Sequence, residues 1–230
     1  MGCGNWLLLL ERPVRAKKGR DANKLAHPRD VVTRRAGRQM DSRMRIVQRS
    51  EIVDYQTYEE IREEFRKVVF AVKARRRIHV GDCFTFLFEN TLTMRYQVQE
   101  MMRVEKMVRE KDILHELDTY NALLGGAGEL GCTLLIEIDD PDERAAKLHD
   151  WLELPRHIYA LLADGAEIRP VFDPAQVGAE RLSSVQYLKF PVRGAVPVAL
   201  GIDLPGIETQ ITLTEVQRTA LAEDLGAGPR

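Results

Sequence analysis

Residues 88–121 read FENTLTMRYQVQEMMRVEKMVREKDILHELDTYN, and here the side chains able to do chemistry are spaced most tellingly. At the helical step of 100° per residue, Met94, Val98, Met101, Met102, Val104 and Val108 share one side with Gln97 and Glu105. Arg95, Gln99, Arg103 and Lys106 fall opposite. A carboxylate on an apolar stripe must be paired, metal-bound or protonated, because burying a bare charge is too costly. Glu105 therefore points two ways. It could join Glu100, Glu116 or Asp118 in a cluster that binds a divalent metal or acts as a base. The favoured reading is a buried ion pair with Arg76, which lies near the apolar azimuth of the preceding helix, since structural networks mimic sites.

The start of this helix offers the other candidate groups. Glu89 sits beside a helix N-terminus, where an anion is favoured electrostatically. Asn90 and Gln97 carry amides, Tyr96 offers a stacking face, and Arg76 and Arg103 offer planar cations. A ligand site, if present, is expected where Phe88-Glu89-Asn90 meets the helix. Its binding residues would be Arg76, Glu89, Asn90, Tyr96, Gln97 and Arg103, with Glu100 and Glu105 as catalytic candidates. The competing reading is that these groups satisfy one another.

Other motifs carry less. Asp112-x-x-His115 is one imperfect half of a di-iron site, which needs two Glu-x-x-His pairs and two further Glu. Lys73-Ala-Arg-Arg-Arg77 could clamp phosphate, but a helix C-terminus prefers cations anyway. Gly125-Gly126-Ala127-Gly128 lacks the Lys-Ser/Thr of a phosphate loop. Cys3, Cys83 and Cys132 are odd in number and far apart, so no disulfide framework, zinc ribbon or iron–sulfur site is encoded. Cys83 and Cys132 read as buried small residues in strands. No metal or cofactor is expected.

The elements that must hold these residues are legible from caps and periodicity. Asp54 caps a helix running to about Arg75, with Tyr58, Ile61, Phe65, Val68, Val69 and Val72 on one face. The long helix runs from Thr91 or Thr93 to about Arg109, and a shorter one covers residues 112–117. Asp140-Pro141 opens another, and Thr214-Glu-Val-Gln217 is a capping box for a C-terminal helix. Strands are expected at residues 78–80, 84–88, 132–138, 158–162, 167–172, 185–190, 196–202 and 208–213. Helices come early and strands pair late. The fold class is α+β, with an N-terminal helical layer packed on a largely antiparallel sheet.

Of 230 residues, 44% are hydrophobic and 30% charged, which describes a globular protein. The net charge of −1 hides an asymmetry. Residues 1–43 hold 11 Lys/Arg against 4 Asp/Glu and read as a basic, disordered tail, or as a start site placed too early. Residues 44–230 form a single acidic domain, which argues against nucleic acid as a partner. Trp6–Leu10 is too short an apolar run for a signal peptide or membrane span. A cytoplasmic location is expected.

Together Lys73, Arg76, Gly81, Phe88-Glu89-Asn90, Thr93, Tyr96-Gln97, Glu100-Met101, Arg103, Glu105, Glu116, Asp118, Tyr120-Asn121 and the strand Thr133–Glu137 resemble the core pattern of the domain-of-unknown-function 3501 family. The resemblance covers roughly residues 45–190. His115 lies outside that pattern. The resemblance implies no established activity. It does imply bacterial neighbours of the rubrerythrin and iron–sulfur oxidoreductase type, hence a role near peroxide defence or electron transfer. The leading expectation is thus a cofactor-free accessory to such redox partners. The alternatives are a small-molecule enzyme with a Glu/Arg/Tyr/Gln site, and a polar network that only specifies the fold.

Overall fold

The structure, a computed structural model, describes residues 46–226. The basic segment 1–43 lies outside the described residues. Helix α1 (Tyr55–Ala74) starts where the Asp54 carboxylate accepts from the N–H groups of Gln56 and Thr57. Strands β1 (Arg77–Val80) and β2 (Phe84–Phe88) follow as a hairpin. Asn90 caps α2 (Thr91–Glu105) by accepting from Leu92 and Thr93 N–H, and Thr93 reciprocates toward the Asn90 backbone. Then come α3 (Glu110–Asn121), β3 (Leu130–Ile136), α4 (Pro141–Asp150), β4 (Ile158–Leu161), β5 (Glu167–Ile168), β6 (Val185–Phe190), β7 (Ala199–Ile202), β8 (Thr209–Thr212) and α5 (Glu215–Asp224).

The expected α+β class is what is found, with the helical layer at the N-terminal side. The strands divide between two antiparallel sheets, ordered β1-β2-β3-β6 and β5-β4-β7-β8. One apolar cluster takes side chains from both sheets and from α5, among them Phe84, Phe86, Phe88, Leu134, Leu188, Ile158, Leu200 and, on α5, Leu221. In β2 and β3 every residue is buried, including those of the opposite face such as Thr85, Leu87, Thr133 and Leu135. Strands covered on both faces read as unbroken apolar runs. Cys132 is buried in β3 as expected, but Cys83 lies in the turn between β1 and β2 rather than in a strand.

The glycine-rich segment after α3 is a loop that β3 passes at close range. A Cβ on Gly131 would come within 2.3 Å of the Leu123 carbonyl oxygen, a backbone atom that cannot swing aside. Gly131→Ala should therefore cost about 1–3 kcal/mol, as overpacking does, and urea unfolding of the variant measures it.

Helix α2 ends differently from the expected run to Arg109. Lys106 adopts φ 48°, the left-handed conformation of a C-cap, and the Met107 N–H reaches back to the Met102 carbonyl. The helix therefore closes at Glu105, four residues short of the expected limit.

Candidate functional site

Helix α2 is buried on two sides. Met94, Val98 and Met102 are buried on the predicted apolar side. Tyr96, on the other side, joins Tyr58, Phe65 and Val69 of α1 in a second apolar cluster. Glu100 shares that α1-facing side and is 0% exposed. Its Oε1 accepts from the Tyr58 hydroxyl at 2.7 Å and Arg62 Nε at 2.7 Å, and its Oε2 accepts from Arg62 Nη2 at 3.0 Å and Arg103 Nη2 at 3.2 Å. Burial pushes the Glu100 carboxyl up, but the Arg62 and Tyr58 hydrogen bonds and the charges of Arg62 and Arg103 prevail and hold it below the usual carboxylate range. Burial and Glu100 together drive the Tyr58 phenol far above its ordinary value.

The ion pair expected between Glu105 and Arg76 does not form. Glu105 is exposed, as the last residue of α2 before its left-handed cap at Lys106. Arg76 is buried, but its partner comes from the far end of the chain. Arg76 Nε and Nη2 each donate at 2.8 Å to one of the two oxygens of Asp224 on α5, Nη1 donates to the Val72 carbonyl, and Nη2 also reaches the Ala220 carbonyl and Glu223. Asn90 Nδ2 donates to the same Asp224 carboxylate at 3.3 Å. An anion does sit near the start of α2, and it is the protein's own.

The other residues of the pattern separate in the same way. Glu89 accepts from the Thr133 hydroxyl at 2.9 Å. Tyr96 is buried with the Lys73 ammonium 5.2 Å from its ring centroid. Gln97 is buried and makes no bond through its Oε1. The carboxylate cluster is not assembled around Glu100, since Asp118 is exposed and Glu116 half-buried. His115 is exposed, and Asp112 pairs with Arg109. Among the described residues no group of three or more His, Cys, Asp or Glu could hold a metal ion. No described helix is long and apolar enough to cross a membrane.

Several further residues matter that the periodicity of residues 88–121 did not single out. Arg62 and Lys73 lie close to the Tyr58 azimuth on α1, at about 40° and 60° from it by the helical step. Cations on an apolar face were the available signal. Gln99 grips both backbone groups of Val53, and Asn121 grips both of Val47, so amides on α2 and α3 clamp the segment before α1. Glu137 accepts from the buried Thr85 hydroxyl, which also meets His79 Nδ1 at 2.8 Å. Asp224 had no local cue.

The family described as "Protein of unknown function (DUF3501)" matches residues 46–225. The chain belongs to that family. The match runs past the expected limit near residue 190 and takes in β7, β8 and α5, which the Arg76–Asp224 bond ties to the helical layer. A solved structure, the crystal structure of a novel protein of unknown function from Burkholderia pseudomallei K96243, is similar at 27% identity with a TM-score of 0.73. The similarity covers 79% of this chain and 100% of that one. No curated protein matches.

Proposed function

We propose that this DUF3501 protein is a cofactor-free accessory that works by binding other proteins. Redox enzymes of the rubrerythrin and iron–sulfur oxidoreductase kind, which the family resemblance implies, are the class to test. One observation supports this reading. Most polar residues a small-molecule site would need are spent on one another, while the bend between α2 and α3 leaves Val104, Val108 and Leu114 at 39%, 74% and 44% exposure. Exposed apolar side chains gathered on one part of a surface are what a docking partner covers. Arg103, Lys106, Arg109 and Glu110 flank them, and charges at the rim of an interface steer and orient more than they bind.

Calorimetric titration with a rubrerythrin-like protein and with an iron–sulfur oxidoreductase tests the proposal. The expected outcome is a complex with one of them that Val108→Asp weakens about ten-fold or more, as loss of an apolar anchor does. Melting should be unaffected, since Val108 is exposed. Absence of binding to both enzymes removes the redox reading. Binding that Val108→Asp leaves unchanged moves the interface elsewhere.

A further inference from the structure

The start of α1 and the end of α2 flank an open cleft of about 510 Å³. Small-molecule sites commonly measure about 300–1,000 Å³. Tyr55, Gln56, Glu59 and Glu60 line the cleft from α1, and Arg103 and Lys106 line it from α2 and its cap. One wall is thus acidic and the other basic. Helix dipoles favour these signs, acids near a start and cations near an end. They do not account for the gap left between the walls. Glu59 Oε2 and Arg103 Nη1 are 3.8 Å apart, too far for a hydrogen bond. Glu60 and Lys106 make no ion pair or side-chain hydrogen bond among the described residues.

Arg103 is held in place independently of the cleft. Its Nη2 donates at 3.2 Å to the buried Glu100 carboxylate, which Arg62 and Tyr58 also hold. One end of the guanidinium is therefore fixed while the other, Nη1, faces Glu59. A cation positioned in this way spends little ordering entropy when a carboxylate arrives.

The charges decide which ligand the cleft suits. Glu59 and Glu60 oppose a simple anion such as phosphate. Arg103 and Lys106 oppose a polyamine. A compound with both charges meets both walls. Tyr55 is half-buried and offers its ring to an apolar group. We propose that this cleft binds a free α-amino acid with an apolar or aromatic side chain. Its carboxylate meets Arg103 and Lys106, its ammonium meets Glu59 and Glu60, and its side chain lies against Tyr55. Gln56 adds an amide able to donate or accept at the rim. The inference goes beyond the docking role proposed above and does not depend on it.

The test is a ligand-observed NMR titration of the full chain at pH 7 with L-phenylalanine, 3-phenylpropanoate and 2-phenylethylamine. The second compound keeps the ring and lacks the ammonium, and the third lacks the carboxylate. L-Phenylalanine is expected to saturate with a Kd of about 1 mM or tighter. Each of the other two should bind about ten-fold or more weakly, because one wall is then left unmet. Lys106→Gln should weaken L-phenylalanine and 3-phenylpropanoate by about three-fold or more, and Glu60→Gln should weaken L-phenylalanine but not 3-phenylpropanoate. Both positions are exposed, so melting should stay unchanged. The proposal is overturned by any of three results: no saturable binding of L-phenylalanine at about ten times that concentration, a singly charged analogue binding as tightly as L-phenylalanine, or an L-phenylalanine affinity that neither variant alters.

Discussion

Asp224→Ala is expected to destabilise the protein by about 3–5 kcal/mol, the cost of stranding a buried charge. Arg76 and Asp224 have side chains 4% and 6% exposed, and their two parallel 2.8 Å bonds form the bidentate arrangement that arginine makes best. Removing the carboxylate leaves the guanidinium buried with only carbonyls and the half-exposed Glu223 to meet it. The pair itself is worth far less than the cost of breaking it. Arg76→Leu combined with Asp224→Leu should therefore recover much of the loss, because no charge is then left unmet. Urea unfolding of the single and double variants measures both quantities. A single-variant loss below about 1 kcal/mol would place the pair among surface bridges. The same bond ties α5 to the end of α1 although 148 positions separate its two partners.

Glu100→Ala is expected to cost a similar amount, about 3–5 kcal/mol, since it strands Arg62 and takes an acceptor from the buried Tyr58 hydroxyl. Its pH dependence has a definite sign. The folded carboxyl is held below its unfolded value, so its contribution is fully present above the ordinary glutamate range of about 4.3. It is lost as pH falls through the folded value, where the carboxylate takes up a proton. The wild type should lose stability in that acid range more steeply than Glu100→Gln. Melting temperatures from pH 7 down to pH 3 test this. Parallel curves for the two proteins would mean that Glu100 does not set the acid limb.

Local chemistry was readable along the chain wherever a few adjacent residues decide the outcome. Asp54, Asp140 and Thr214 cap the helices they were expected to cap, because a cap needs only its own side chain and the next three N–H groups. Most strands appear where β-branched and aromatic runs stand between turns, although the one expected over 167–172 shrinks to Glu167–Ile168, and the α+β class follows from their order. The resemblance carried by residues 73–137 placed the chain in its family.

What the chain does not state is which carboxylate meets which arginine. A single stripe describes a helix that packs on one side only, and it put Glu105 inside and Gln99 and Arg103 opposite, with no place for Glu100. Helix α2 has two neighbours, so its second face is buried as well. Glu100 finds Arg62, and Glu105, the last residue of the helix, is left in solvent. Arg76 was rightly expected to be buried, but its partner lies 148 positions away. No period or spacing reports a contact over that distance. Only the packing of α5 against the end of α1 brings the two charges together, and a guanidinium buried there without Asp224 would lack its carboxylate partner.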